Sequence, residues 1–335
     1  MAIEEKNVMA VLQGVVDPRQ IKSVKLVEEN VLVELSMPSS EQVRQAVIAA
    51  VKGLAGVEEV VVHFGASLAA VETPVAGAGI KHIVAVGAGK GGVGKSTIAV
   101  NLAVGLAKLG KRVGLLDADI YGPSVPTLTG LTEEPKVVED RILPVELTSA
   151  DGAVSLKVMS IGFLVDREKA LIWRGPMAHG AIKQFLEQVD WIRGGEELDY
   201  LIVDLPPGTG DIALTLAQTV SLTGAVVVAT PQEVALADAR RAVRMFQQLG
   251  VAVLGVVENM SYFVCEHGTS YDIFGRGGAM AMAQEMNLPF LGEVPIDVRL
   301  RKHSDEGTPF DNFAATCASS QPLTVLADEL EKQIA

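Results

Sequence analysis

From about residue 80 onward, short apolar runs rich in β-branched residues alternate with longer stretches in which apolar positions recur every three or four residues. The runs are Ile83–Val86, Val113–Asp117, Leu156–Met159, Tyr200–Asp204, Ala225–Ala229, Ala252–Val257 and Phe290–Glu293. They are continuous rather than alternating, which predicts strands buried on both sides. Such strands, separated by helical segments, predict a mostly parallel α/β sheet with helices on both faces. Ile98 to Leu109 carries the first helical pattern, and Leu323 to Ala335 reads as an acidic amphipathic helix at the end. In sheets of this kind ligands bind at the carboxyl ends of the strands, so the residues closing each run are the first candidates for chemistry.

The front of the chain has a different rhythm. Val8–Val15 predicts a helix that stops near Asp17-Pro18, and Ile21–Leu35 predicts two extended segments around Glu28-Glu29-Asn30. Ser39-Ser40-Glu41-Gln42 is a helix start, followed by Val43, Val47, Ile48 and Val51 at helical spacing. Val57–Phe64 predicts a strand. Residues 1–72 thus form a small α/β domain. Thr73-Pro74-Val75-Ala76-Gly77-Ala78-Gly79 is small and breaker-rich, so residues 73–80 are expected to be a linker and 81–335 the main domain.

Composition refines this picture at three points. Aromatic residues are only 4% of a chain that is 49% hydrophobic, so the core is built from Val, Leu, Ile and Ala. The net charge of −13 works against sequence-independent nucleic-acid binding and against anionic lipid, so neither nucleic acid nor membrane is an expected partner. Cys265 and Cys317, the two cysteines, do not make a disulfide framework. The first residues lack a basic region followed by an apolar one, and no apolar stretch reaches about 18 residues. The expected location is the cytoplasm.

The strongest chemical signal is Gly89-Lys90-Gly91-Gly92-Val93-Gly94-Lys95-Ser96-Thr97, set between the first apolar strand and the first helix. Strand, glycine loop and helix make a phosphate-binding loop. Glycines let backbone N–H groups converge on phosphate oxygens, and the helix adds its positive end. Lys95 is expected to reach the β/γ-phosphates and Ser96 to hold Mg²⁺. Strand Val113–Asp117 continues Ala118-Asp119, giving two carboxylates at i and i+2 that suit a Mg²⁺ site and a water-orienting group. Tyr200–Asp204 ends in a carboxylate placed to reach Mg²⁺, and then runs into Leu205-Pro206-Pro207-Gly208-Thr209-Gly210-Asp211. Gly208 or Gly210 offers an N–H to a γ-phosphate, and Asp211 reads as a helix cap. Asn259, after the strand ending at Val257, either reads an adenine edge or closes a turn.

The early lysine narrows the class. Lys-Gly-Gly-x-Gly-Lys-Ser/Thr resembles the deviant Walker A loop of the MinD/ParA/nitrogenase-iron-protein class of P-loop NTPases. That resemblance implies ATP with Mg²⁺ and a homodimer in which Lys90 crosses the two-fold axis to the partner's nucleotide. It makes Asp117–Ser124 the switch I segment, with Asp119 positioning the attacking water and Asp117 nearer the metal. It also makes Pro295-Ile296-Asp297 a second base-contacting loop, so Pro295 and Asp297 join the nucleotide site.

Further motifs resemble the Mrp/ApbC family: Trp173-Arg174-Gly175-Pro176-Met177, Asp204 to Asp211, Glu258-Asn259-Met260-Ser261-Tyr262-Phe263, Ile273-Phe274-Gly275 and Gly277-Gly278-Ala279. The first 70 residues are similar to the iron–sulfur-assembly domain that precedes bacterial members. The resemblance implies a dimeric, slowly ATP-hydrolysing carrier that holds an iron–sulfur cluster and passes it from assembly scaffolds to apo-proteins. Cys265 would be the cluster ligand. Many members continue Cys-x-x-Cys, but here the text is Cys265-Glu266-His267-Gly268, and the front domain has no thiol in Met37–Glu41. Two further functions stay open: a MinD/ParA-like positioning ATPase, and an ATPase scaffold that has lost its cluster.

Overall fold

The computed structural model describes residues 5–27, 30–35, 41–54, 57, 59–64, 79–139, 141–164, 175–193, 195–208 and 210–334. The chain divides into two compact units, Met1–Thr73 and Pro74–Ala335. Among the described residues no helix is long and apolar enough to cross a membrane. The predicted linker residues up to 78, the Met37–Ser40 loop and Trp173-Arg174 lie outside the described residues.

The first unit contains α1 (Glu5–Leu12), β1 (Ile21–Val27), β2 (Asn30–Leu35), α2 (Glu41–Lys52) and β3 (Glu59–Phe64). β2 is central, antiparallel to β1 and parallel to β3. Val8 and Leu12 of α1 and Val47 and Val51 of α2 pack with Val31 and Val33 of β2. α1 lies one turn earlier than the apolar pattern suggests. Val15 and Val16 both donate their N–H to the Leu12 carbonyl, closing the helix before Val15.

The second unit runs β4 (Ile80–Gly87), α3 (Lys95–Lys108), β5 (Val113–Asp117), α4 (Val125–Thr129), β6 (Val137–Val138), β7 (Arg141–Ile142), β8 (Val145–Thr148), β9 (Ser155–Ser160) and α5 (Gly175–Gln188). It continues with β10 (Leu198–Asp204), α6 (Gly210–Thr219), β11 (Gly224–Ala229), α7 (Glu233–Gln248), β12 (Val253–Val264), β13 (Ser270–Tyr271), α8 (Gly278–Glu285), β14 (Phe290–Ile296), α9 (Val298–Glu306) and α10 (Ser320–Ile334). Nine strands form one sheet in the order β13-β12-β11-β4-β10-β5-β9-β8, with β14 also paired to β12. The pairing is parallel except for β13 and β8, which are antiparallel to their neighbours. This is the mostly parallel sheet that the alternating pattern predicts.

Both faces are covered. Ile83 and Ala85 of β4 point into a layer with Ile182, Leu216, Val243 and Phe246 from α5, α6 and α7. Val84 and Val86 point the other way, toward Ile98, Leu102, Leu326 and Leu330 of α3 and α10. Phe246 is fully buried, and a Cβ at Gly87 would lie 2.9 Å from its ring. The ring therefore supports the strand end from which the phosphate loop departs. Phe246→Ala is expected to lower unfolding free energy by about 3–5 kcal/mol through the cavity it leaves, read as a shift in the urea midpoint.

The departures from the sequence pattern include two boundaries and an added strand. α3 begins at Lys95, a turn before Ile98, because polar Ser96 and Thr97 hide its first turn from an apolar count. β12 does not end at Val257 but continues to Val264. Glu258 and Asn259 are polar yet buried, and Met260 takes a left-handed φ of 57° where pairing with β14 shifts register. β8 was not predicted, although Val145 and Leu147 are buried while Glu146 and Thr148 are exposed.

Candidate functional site

β4 is flanked by β11 and β10, and the loop at its carboxyl end carries Gly89 to Gly94. Gly92 and Gly94 are left-handed, with φ of 82° and 81°, and Gly94 caps α3 without a side chain. A non-glycine residue at either position would be strained. Val93 is buried, and its carbonyl accepts a hydrogen bond from Asn259 Nδ2 at 2.8 Å. Asn259 thus closes the loop against β12, and a Cβ on Gly94 would collide with its amide. Gly91 and Gly92 are exposed. Lys90 is half-exposed and has no hydrogen bond or ion pair among the described residues.

Lys95 is buried. Its Nζ lies 2.5 Å from Asp204 Oδ1 and 3.1 Å from Ser96 Oγ. Asp204 and Asp117 are register partners on adjacent strands β10 and β5, so their carboxylates stand at the same level. Asp117 is pushed up to about 7, first by burial and then by Asp204. Its oxygens accept from the N–H of Asp119 (3.1 Å), the N–H of Val125 (3.2 Å) and the Ser160 hydroxyl (2.9 Å). Asp117 therefore shapes the loop that presents Asp119. Burial also raises Asp119 and Asp204, with Lys95 opposing in both cases.

These residues fit a Mg²⁺ ion. Asp204 Oδ2 is buried without a hydrogen-bond partner among the described residues, and the donors around it are hard oxygens. A divalent cation would offset the burial that raises the carboxylates.

The segment after β10 and the end of β14 carry the other predicted residues. Gly208, left-handed at φ 70°, donates its N–H to the Ala88 carbonyl at 3.1 Å, tying the segment after β10 to the phosphate loop. Asp211 lies in the first turn of α6, inside the helix rather than in front of it. Pro295 is buried within β14. Asp297 caps α9 by accepting the N–H of Arg299 (2.8 Å), and it also accepts the N–H (2.9 Å) and hydroxyl (3.0 Å) of Ser319.

Cys265 sits in the turn between β12 and β13. Its N–H donates to the Thr269 carbonyl at 3.0 Å, and its own carbonyl accepts from Gly268 at 2.9 Å. Backbone N–H groups of His267 and then Thr269 face the sulfur and hold the thiol below its ordinary range. Gly268 is left-handed at φ 78°, and His267 is exposed. Cys317 is unlike Cys265: it is buried, 3.8 Å from His303 Nδ1, and first burial, then Asp297, push its thiol up. Among the described residues no three His, Cys, Asp or Glu side chains group to hold a metal.

Sequence reasoning missed what holds this turn. Fully buried Glu258 accepts the Ser261 hydroxyl (2.6 Å) and the N–H groups of Gly277 (2.8 Å) and Ala279 (2.7 Å) at the start of α8. Arg276 pairs with Glu293 and lies 4.2 Å from the Tyr262 ring centre. A charged residue inside an apolar strand is the available signal, but here it coincided with an apparent strand end.

A family model described as NUBPL iron-transfer P-loop NTPase matches residues 79–331. A Deinococcus radiodurans protein named iron-sulfur cluster carrier protein is 49% identical over 300 residues, spanning 89% of this chain and 82% of its own. The solved structure of a nucleotide-binding protein from Archaeoglobus fulgidus in complex with ADP is 44% identical, with a TM-score of 0.61 over 70% of this chain and 89% of that one. The cell division ATPase MinD of Pyrococcus furiosus shares the fold at 24% identity and a TM-score of 0.54, covering 75% of this chain and 98% of its own.

Proposed function

Since the chain belongs to the NUBPL iron-transfer P-loop NTPase family, we propose that it is a homodimeric carrier that hydrolyses ATP slowly, holds an iron–sulfur cluster as cargo and passes it to apo-proteins. The observation that carries the ATP half is the buried Lys95–Asp204 pair beneath a loop with two left-handed glycines. Loop N–H groups from Gly89 to Thr97 bind the phosphates, and Lys95 moves from Asp204 to the β/γ-phosphate oxygens. Ser96, Asp204 and Asp117 would hold Mg²⁺, which when bound would offset charge on the phosphate oxygens. Asp119 orients the attacking water. Asn259, Pro295 and Asp297 border the base.

The dimer reading draws on the same end of the sheet. Tyr121, Val234 and Val298 are exposed apolar residues that follow the carboxyl ends of the parallel strands β5, β11 and β14. A second copy seated there would cover them and meet the uncommitted Lys90. Lys90→Ala is expected to keep ATP affinity while phosphate release falls about a hundredfold, since the lysine acts only on the partner's transition state. Wild-type turnover in Lys90→Ala would remove the sandwich role.

Each chain offers one low-lying thiol, Cys265, as cluster ligand. Anaerobic reconstitution with iron and sulfide, followed by transfer to an apo iron–sulfur protein, tests the cargo half. A second reading is favoured by Gly268, which puts no side chain where a second thiolate would stand: an ATPase that acts through partner binding alone. It expects ATP hydrolysis with no iron retained.

A further inference from the structure

A chain of buried side-chain amides leads from the phosphate loop to the C-terminal segment. Asn101 in α3 donates from Nδ2 to the Thr97 carbonyl at 2.8 Å. Asn101 Oδ1 accepts from Asn312 Nδ2 at 2.9 Å, and Asn312 Oδ1 lies 3.1 Å from His303 Nδ1. Asn101 and Asn312 are 1% and 0% exposed, so water supplies no alternative partners. A backbone carbonyl only accepts, and this fixes every link. Asn101 must turn its NH2 to Thr97 and its oxygen to Asn312. Asn312 must then turn its oxygen to His303, so Nδ1 of His303 carries the proton.

The residues at the far end belong to a brace. His303 is in α9, and Asn312 is in the 3-10 turn Pro309–Phe313 that follows. α9 also abuts α4. Gly130 and Gly307, both left-handed at φ 70° and 71°, meet backbone to backbone with no room for a Cβ. α4 starts at Val125, whose N–H is held by Asp117. The C-terminal segment therefore grips both the helix that opens at Lys95 and the helix that closes the Asp119 loop.

We propose that Asn312 and His303 are positioning residues for the nucleotide site. Acting through Asn101, they fix the Thr97 carbonyl and the first turn of α3, and so aim the Ser96 hydroxyl and loop N–H groups at the phosphates. This rests on the ATP-binding reading above. A merely structural role for the chain would lower stability alone; a positioning role also changes nucleotide affinity and makes His303 sense the nucleotide.

The test uses the full chain, Mg-ADP, calorimetry and nitrogen NMR of labelled histidine, with the His303 signal assigned by its loss in His303→Gln. The free protein should show the His303 proton on Nδ1, and saturating Mg-ADP should move that signal in wild type but not in Asn101→Leu. Asn312→Leu should bind Mg-ADP about tenfold more weakly, equivalent to about 1.4 kcal/mol. His303→Leu should weaken binding likewise, and His303→Gln, which keeps a donor toward Asn312, should restore it. Wild-type affinity in Asn312→Leu, or a His303 signal unmoved by saturating Mg-ADP, would overturn the proposal. If Asn312→Leu does not fold, the wild-type NMR titration decides alone. A wild-type protein that binds no Mg-ADP sinks the ATP reading instead.

Discussion

Lys95→Ala is expected to abolish measurable Mg-ATP turnover, a loss of at least about a thousandfold, because the side chain proposed to meet the β/γ-phosphates has no substitute. Lys90, the other lysine of the loop, is half-exposed and free for another role. The effect on folding should be smaller than the effect on activity. Breaking a buried ion pair ordinarily costs about 3–5 kcal/mol, because the remaining charge is stranded. Asp204 has an escape: burial already raises it and Lys95 opposes, so without Lys95 it takes up a proton. The variant should therefore fold, with a lower melting temperature and an uncharged Asp204 that has lost its value as a Mg²⁺ ligand. Phosphate release and Mg-ATP calorimetry on the folded variant check this. Retained turnover would mean that the phosphates lie elsewhere.

Cys265→Ser should eliminate the iron and sulfide that the reconstituted protein retains, whereas Cys317→Ser should leave both unchanged. The two thiols differ in their surroundings. N–H groups of His267 and Thr269 favour the Cys265 thiolate, the form that binds iron. Burial and Asp297 keep Cys317 protonated. A serine hydroxyl at 265 does not ionise near neutral pH and is a poor ligand to a soft site. Gly268→Cys should increase cluster retention, since a Cβ there meets nothing within 4 Å, although its left-handed φ of 78° makes the substitution strained. Equal iron in wild type and Cys265→Ser would end the assignment of Cys265 as ligand.

The central strands and the glycine loop were legible because both rest on local chemistry. Apolar runs bury themselves, and a loop that must present N–H groups requires glycine. What escaped was polar and long-range. Asn101 looks like an ordinary helix residue until Asn312, 211 positions later, bonds to it. Glu258 looked like the end of a strand because charge normally marks exposure; here the start of α8 receives its carboxylate inside the fold. Asp297 came only from the resemblance, as part of a base-contacting loop; its second role, accepting the Arg299 N–H as the cap of α9, was not legible.

The anchors of the Cys265 turn lie at or beyond its ends, in Glu258, Arg276, Glu293 and the first amides of α8. The stretch from Cys265 to Gly275 is thus a cassette. A change in its length, surface or number of thiols would leave those anchors in place. Asn259 has no such licence, because its amide holds the carbonyl of Val93. Neighbouring residues of one strand thereby serve separate parts of the fold, Glu258 the Cys265 turn and Asn259 the phosphate loop.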